Sequence, residues 1–120
     1  MAKSVHNDVL DAALDVVSSA TRMTLCSSAP ANFAGISSVA LADATLDSGD
    51  FSISDGDTSG RKVTVAAQSG IEVDATGTVT HLALDDGETL LLVTEVTPQA
   101  LTQGNTADVP AFDYEIADPT

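Results

Sequence analysis

The hydrophobic period changes at Ala20. Before it, apolar residues recur every three to four positions, as on a helix; after it they alternate in short segments with a period of two. That switch confines the chain to a mainly β fold with one N-terminal α-helix. Residues 4–20 form the helical segment, with Ser4 as the expected N-cap and Asp8 beside the positive helix end. At 100° per residue, Asp8, Asp11, Asp15, Ser18 and Ser19 fall on one side. Val5, Val9, Ala12, Ala13, Val16, Val17 and Ala20 share the other, and Leu10 and Leu14 extend it. The apolar arc spans roughly 200°, whereas a simple surface helix needs a stripe of about 100°. Such an arc predicts either contact on two sides, one of them a partner, or a helix sunk deep in its own domain. On the first reading, Val5, Val9, Leu10, Ala13 and Val17 are the partner-contact residues.

The remaining segments read as strands. Residues 21–27 alternate with Met23 and Leu25 on one face. A loop with Pro30 and Gly35 spans 28–38, and 39–46 is the next strand. Phe51 and Ile53 share a face, as do Val63, Val65 and Ala67. Ile71 and Val73 form a short strand before the turn at 74–77. Strands at 78–84 and 88–97 flank Asp85-Asp86-Gly87, a hairpin composition. In the last strand, 111–117, Phe112, Tyr114 and Ile116 point one way and Asp113 and Glu115 the other; Gly104-Asn105 marks the turn before it. Short strands at near-regular spacing predict an antiparallel β-sandwich or barrel-like domain over 21–120. With the arm and helix at 1–20, the 120 residues make a single domain.

Charge narrows the function. Eighteen acids against four bases give a net charge of −14. Binding nucleic acid requires clustered Lys and Arg, and docking on anionic lipid requires a basic patch, so neither is expected. Apolar residues make up 43% of the chain, too many for an acidic disordered chain. Only four side chains are aromatic, so the core is expected to consist of small aliphatics. All four bases lie within the first 62 residues, and the ten acids after residue 62 have no base among them. Those acids must be solvated, bind cations, or meet bases from the first half. No uninterrupted apolar run exceeds four residues, so neither a membrane helix nor a secretory leader is expected.

The chemistry-bearing motifs are sparse. Residues 55–60, Asp-Gly-Asp-Thr-Ser-Gly, place oxygens of Asp55, Asp57 and Ser59 as in the first half of a calcium loop. The twelfth position is Ala66, where such a loop needs a bidentate Glu, and Arg61 follows the glycine directly. A tight turn between strands explains the same residues. His6 and His81 are the only histidines; neither neighbours a nucleophile motif, and Cys26 reads as a small core residue. No phosphate loop, paired catalytic carboxylates in an aromatic cleft, or histidine metal set is apparent. No catalytic residue and no cofactor is expected.

Several longer strings carry a resemblance. They are TRMTLCS at 21–27, GDF at 49–51, SDGDTSGRKVTV at 54–65, THLAL at 80–84, PQAL at 98–101 and VPAFDYEIADP at 109–119. His6-Asn7, Val9-Leu10 and Asp11-Ala12-Ala13 add to them. Across nearly the whole chain the sequence resembles small virion structural proteins of tailed bacteriophages. The resemblance implies a non-enzymatic capsid decoration (cement) protein on the outer face of the head. Its partners would be the major capsid protein and itself, as a dimer or trimer. A fibre or tail component with a receptor-binding β-domain is the alternative. Either would be made in the reducing bacterial cytoplasm, which a single cysteine suits.

Overall fold

Valine, threonine, isoleucine and leucine dominate the alternating segments, and branched side chains pack well on a pleated surface. The computed structural model describes residues 6–57 and 59–116. In it, helix α1 (Asn7–Val17) is followed by β1 (Arg22–Cys26), a four-residue helix α2 (Ile36–Val39), β2 (Ala40–Thr45) and β3 (Phe51–Asp55). Then come β4 (Arg61–Val65), β5 (Gln68–Glu72), β6 (Gly77–Asp85), β7 (Leu90–Leu101), β8 (Thr106–Val109) and β9 (Phe112–Ile116). Three antiparallel sheets result, with strand orders β2-β1-β6-β7, β3-β4-β9 and β5-β8. The fold is mainly β, as the periodicity requires. The barrel-like alternative is corrected: each sheet keeps its own edges, and none closes on itself.

No sheet is wide enough to bury its own apolar face, so all three share one core. Leu14 and Val17 from α1 meet Met23, Leu41, Val63, Val65, Ile71, Leu84 and Val109 from the three sheets in one cluster. None of the fully buried apolar residues is aromatic. Phe51 and Phe112 pack only at the margin of this cluster. A second, smaller cluster lies on the opposite face of the first sheet. There Ile36 covers Cys26 and Ala83, with Phe33 and Leu90 beside them. The molecule measures 54 × 25 × 24 Å with a radius of gyration of 15.3 Å. A compact chain of this length would have about 14 Å, so the sheets extend along one axis.

The helix is shorter than its periodicity suggests, and a different residue caps it. His6 takes the N-cap position, its Nδ1 accepting the Asp8 amide at 3.0 Å; Ser4 and Val5 lie outside the described residues. At the other end the Ser18 amide and hydroxyl both donate to the Leu14 carbonyl, at 2.9 and 3.0 Å, and the next two amides turn to carbonyls three residues back, closing the helix. The inward stripe is Leu10, Leu14 and Val17, at the edge of the apolar arc rather than at its centre. α1 packs on β4 and reaches β7, bridging the first two sheets.

Three boundaries differ for local reasons. Residues 36–39 coil into α2, so the following strand starts at Ala40. β7 runs on through Pro98, which an edge strand tolerates because its outward N–H has no ladder partner. β8 is unforeseen, since its four residues offer only Ala107 and Val109 to the core. Leu14 is fully buried, whereas Val16 is 56% exposed. Leu14→Ala is therefore expected to cost about 2–5 kcal/mol and Val16→Ala less than about 0.5 kcal/mol, measured by urea unfolding of each variant.

Candidate functional site

The acid-rich turn between β3 and β4 shows how the few cations are used. Arg61 and Lys62 are neighbours on β4, so their side chains leave opposite faces of the strand. Arg61 Nη1 donates to Asp55 at 2.7 Å, and Lys62 Nζ donates to Asp57 at 2.8 Å. The two carboxylates are thus drawn to opposite faces instead of converging. Ser59 lies in the same turn, where a Cβ on Gly56 would collide with the Ser59 carbonyl oxygen. Gly60 adopts a φ of 71°, which favours glycine. Among the described residues, no three His, Cys, Asp or Glu side chains gather as a metal site. In the structure Asp55 and Asp57 brace the hairpin turn through Arg61 and Lys62, and Ser59 lies within that turn. Millimolar calcium is expected to leave the melting temperature unchanged in differential scanning calorimetry, because cations already occupy both carboxylates.

Each described base joins elements distant in sequence. Arg61 also holds Asp11 of α1, through Nε at 2.8 Å and Nη2 at 3.4 Å. Its hydrogen bonds to Asp11, then to Asp55, raise its pKa further above the ordinary guanidinium value. Lys62 reaches Asp113 of β9 at 3.3 Å, and the Thr64 hydroxyl donates to the same carboxylate at 2.7 Å. The Thr64 bond, followed by Lys62, holds Asp113 below the ordinary carboxylate range. Arg22 Nε donates to Asp85, a carboxylate only 1% exposed, at 3.0 Å, and its guanidinium sits 5.9 Å from the Phe33 ring centroid. Asp85 and Asp113, from the base-free half of the chain, thus find their partners in the first half.

Register brings together a row that sequence spacing hides. Cys26 of β1 lies opposite His81 of β6, which lies opposite Glu95 of β7. A thiol, an imidazole and a carboxylate then stand on adjacent strands of one face. The thiol is fully buried, and burial pushes its pKa up to about 11. Its sulfur lies 3.6 Å from the Thr24 carbonyl, and His81 Nδ1 lies 2.8 Å from the Thr80 hydroxyl. At neutral pH the thiol stays protonated, and its neighbours do not activate it.

The expected contact residues of α1 divide by face. Leu10 and Val17 are 6% and 7% exposed, occupied by the chain's own core. Val9 and Ala13 remain exposed, with Ala12 and Val16 completing an outward apolar stripe at positions i, i+3, i+4 and i+7. Val5 lies outside the described residues. Two concave features add to this stripe. One is a cleft of about 490 Å³ between β7 and the β8–β9 segment, with Leu82, Val96 and Phe112 in its lining. The other, of about 430 Å³, lies under α2 beside Arg22 and Thr24. The cleft depends on which strands end up at sheet edges, so no local motif signals it. No helix among the described residues is long and apolar enough to cross a membrane.

The turn after β6 is braced from within. Asp86 accepts the Thr89 amide at 2.8 Å and the Glu88 amide at 2.9 Å, and these two bonds hold its carboxyl below the ordinary carboxylate range. A carboxyl with a depressed folded pKa takes up its proton more readily in the unfolded chain. Its contribution to stability is therefore present above about pH 4 and is lost as the pH falls through the folded value. Asp86→Asn should melt below the parent at neutral pH, with the gap closing in acid; paired melting curves across the acid limb read this directly.

Comparison with known proteins returns no match: no family model, no curated protein and no solved structure.

Proposed function

We propose that this chain is a non-enzymatic structural protein of a tailed-phage virion. In this reading it is a capsid decoration protein that binds the outer face of the head as a symmetric oligomer. The observation that carries the reading is the outward stripe of α1. Val9 and Val16 are 60% and 56% exposed on a helix whose other apolar stripe already fills the core. Covering such side chains gains roughly 25 cal/mol per Å² of apolar surface removed from water. A contact with the major capsid protein or with a second copy would supply that cover. Closed symmetry lets each copy present the same stripe once.

The charge distribution suits the exterior of a particle. Most acids sit on outward strand positions and in turns, and Arg22, Arg61 and Lys62 are already engaged with carboxylates. Such a surface repels packaged nucleic acid and stays well hydrated. The second reading, a fibre or tail component, draws support from the cleft beside β7, since concave apolar surfaces are common at binding sites.

Quantifying the chain in purified virions separates the readings. Copy number close to that of the major capsid protein is expected for a decoration protein, and a few copies per particle for a fibre or tail part. Absence from virions would sink both. Val9→Asp is expected to release monomers that remain folded, as seen by sedimentation and circular dichroism together, because Val9 lies outside the core.

A further inference from the structure

The main core uses one face of the first sheet. On β1, Met23 and Leu25 belong to that core, so Arg22, Thr24 and Cys26 point to the other side. There a single 3₁₀ turn, Phe33–Gly35, leads into α2. The Asn32 side chain fixes that turn by accepting the Gly35 amide at 2.8 Å. Ile36 then packs on Cys26 and Ala83. A cleft of about 430 Å³ opens between this cover and the sheet. Phe33, Ala34 and Ile36 line it from the cover, and Arg22, Thr24 and Asp43 from the sheet. The volume lies within the range of small-molecule sites.

Three polar groups in this cleft keep unused bonding capacity. Thr24 is only 1% exposed, and its hydroxyl has no hydrogen-bond partner among the described residues. Buried hydroxyls are rarely left in that condition. Arg22 donates its Nε–H to Asp85 at 3.0 Å, and its Nη groups have no hydrogen-bond partner among the described residues. Asp85 belongs to β6, on one side of β1, and Asp43 to β2, on the other. Arg22 is thus drawn away from Asp43, whose exposed carboxylate joins no ion pair among the described residues. Thr24 stands between the two, as the direct cross-strand partner of Asp43. The Phe33 ring, 5.9 Å from the guanidinium, sets an apolar wall beside the cation.

We propose that this cleft binds a small zwitterion, a free α-amino acid with a large apolar side chain. Its carboxylate accepts from the Arg22 Nη groups and the Thr24 hydroxyl, its ammonium donates to Asp43, and its side chain lies against Phe33 and Ala34. A lone anion would meet the Asp43 carboxylate, and a lone cation would meet the Arg22 guanidinium. A molecule with both charges satisfies both walls and gives the buried hydroxyl an acceptor. Adjacent strands lie about 5 Å apart, so the two ligand charges must be only a few bonds apart, as they are in an α-amino acid. Because Asp85 already fixes Arg22, little side-chain freedom is lost on binding. No residue of α1 lines the cleft, so the inference goes beyond the virion reading and does not depend on it.

The test titrates ¹⁵N-labelled full-length protein with L-phenylalanine. Saturable amide shifts are expected, confined to residues 22–24, 33–37 and 40–43. N-acetyl-L-phenylalanine lacks the ammonium and L-phenylalaninamide lacks the carboxylate; each should bind roughly tenfold more weakly. Glycine, without an apolar side chain, should also bind more weakly than L-phenylalanine. Asp43→Asn should weaken L-phenylalanine several-fold and leave the N-acetyl form unchanged. Thr24→Val replaces the unpartnered hydroxyl with a methyl group of the same shape. That variant should melt at or above the parent temperature and still bind L-phenylalanine several-fold more weakly. No saturation by about 10 mM ligand, or shifts centred on the cleft beside β7, would overturn the proposal. Equal binding of all three phenylalanine forms would do the same, as would a folded Thr24→Val that binds as tightly as the parent.

Discussion

Leu14, Met23, Val63, Val65 and Leu84 meet at the centre of the molecule, and the rest of the fold depends on that meeting. A two-stranded or three-stranded sheet of short strands buries too little apolar surface to stand alone. None of the four aromatic side chains is fully buried to compensate, so α1 and all three sheets converge on a single cluster of small aliphatics. This explains the elongated shape, because a narrow core with small side chains leaves a cross-section near 25 Å. It also explains why α1 matters beyond its length. The helix crosses between the first and second sheets and closes one end of the shared core.

The scarcity of cations shapes the surface. Arg22, Arg61 and Lys62 each bind a carboxylate from a remote part of the chain, and each does so where two elements meet. Exposed ion pairs contribute little stability individually. The Arg22–Asp85 pair differs, because Asp85 is almost fully buried, and removing its partner would strand a charge in the interior. The same arrangement draws Asp55 and Asp57 apart. In an acidic chain, the placement of a base decides whether neighbouring carboxylates form a site or a brace.

Two surfaces remain unfinished within the monomer: the outward stripe of α1 and the open edge of β9. They differ in physical kind. The stripe offers apolar contact without direction, which suits packing against a smooth neighbour or a symmetry mate. The edge offers directed main-chain donors and acceptors, which suit an extended segment. A chain with both can make two contacts at once.

Much of this was legible in the residues. The period change at Ala20, the strand alternations and the 85–87 turn signal follow from local chemistry and predict the helix, most of the strands and the β6–β7 hairpin. The small-aliphatic core follows from having four aromatics, and the shortage of bases follows from counting. Other features depend on which segments become neighbours. The apolar arc of α1 shows that two sides are apolar, but packing on β4 selects Leu10, Leu14 and Val17 as the inner side. Asp55 and Asp57 look like ligands by spacing, and only the opposite faces of Arg61 and Lys62 turn them into braces. The Cys26–His81–Glu95 row and the β7–β9 seam arise from register and strand order. Sequence thus determined which elements form, because periodicity and turn chemistry act over a few residues. Tertiary structure decided which faces and edges stay open, because that depends on long-range pairing that no local pattern encodes.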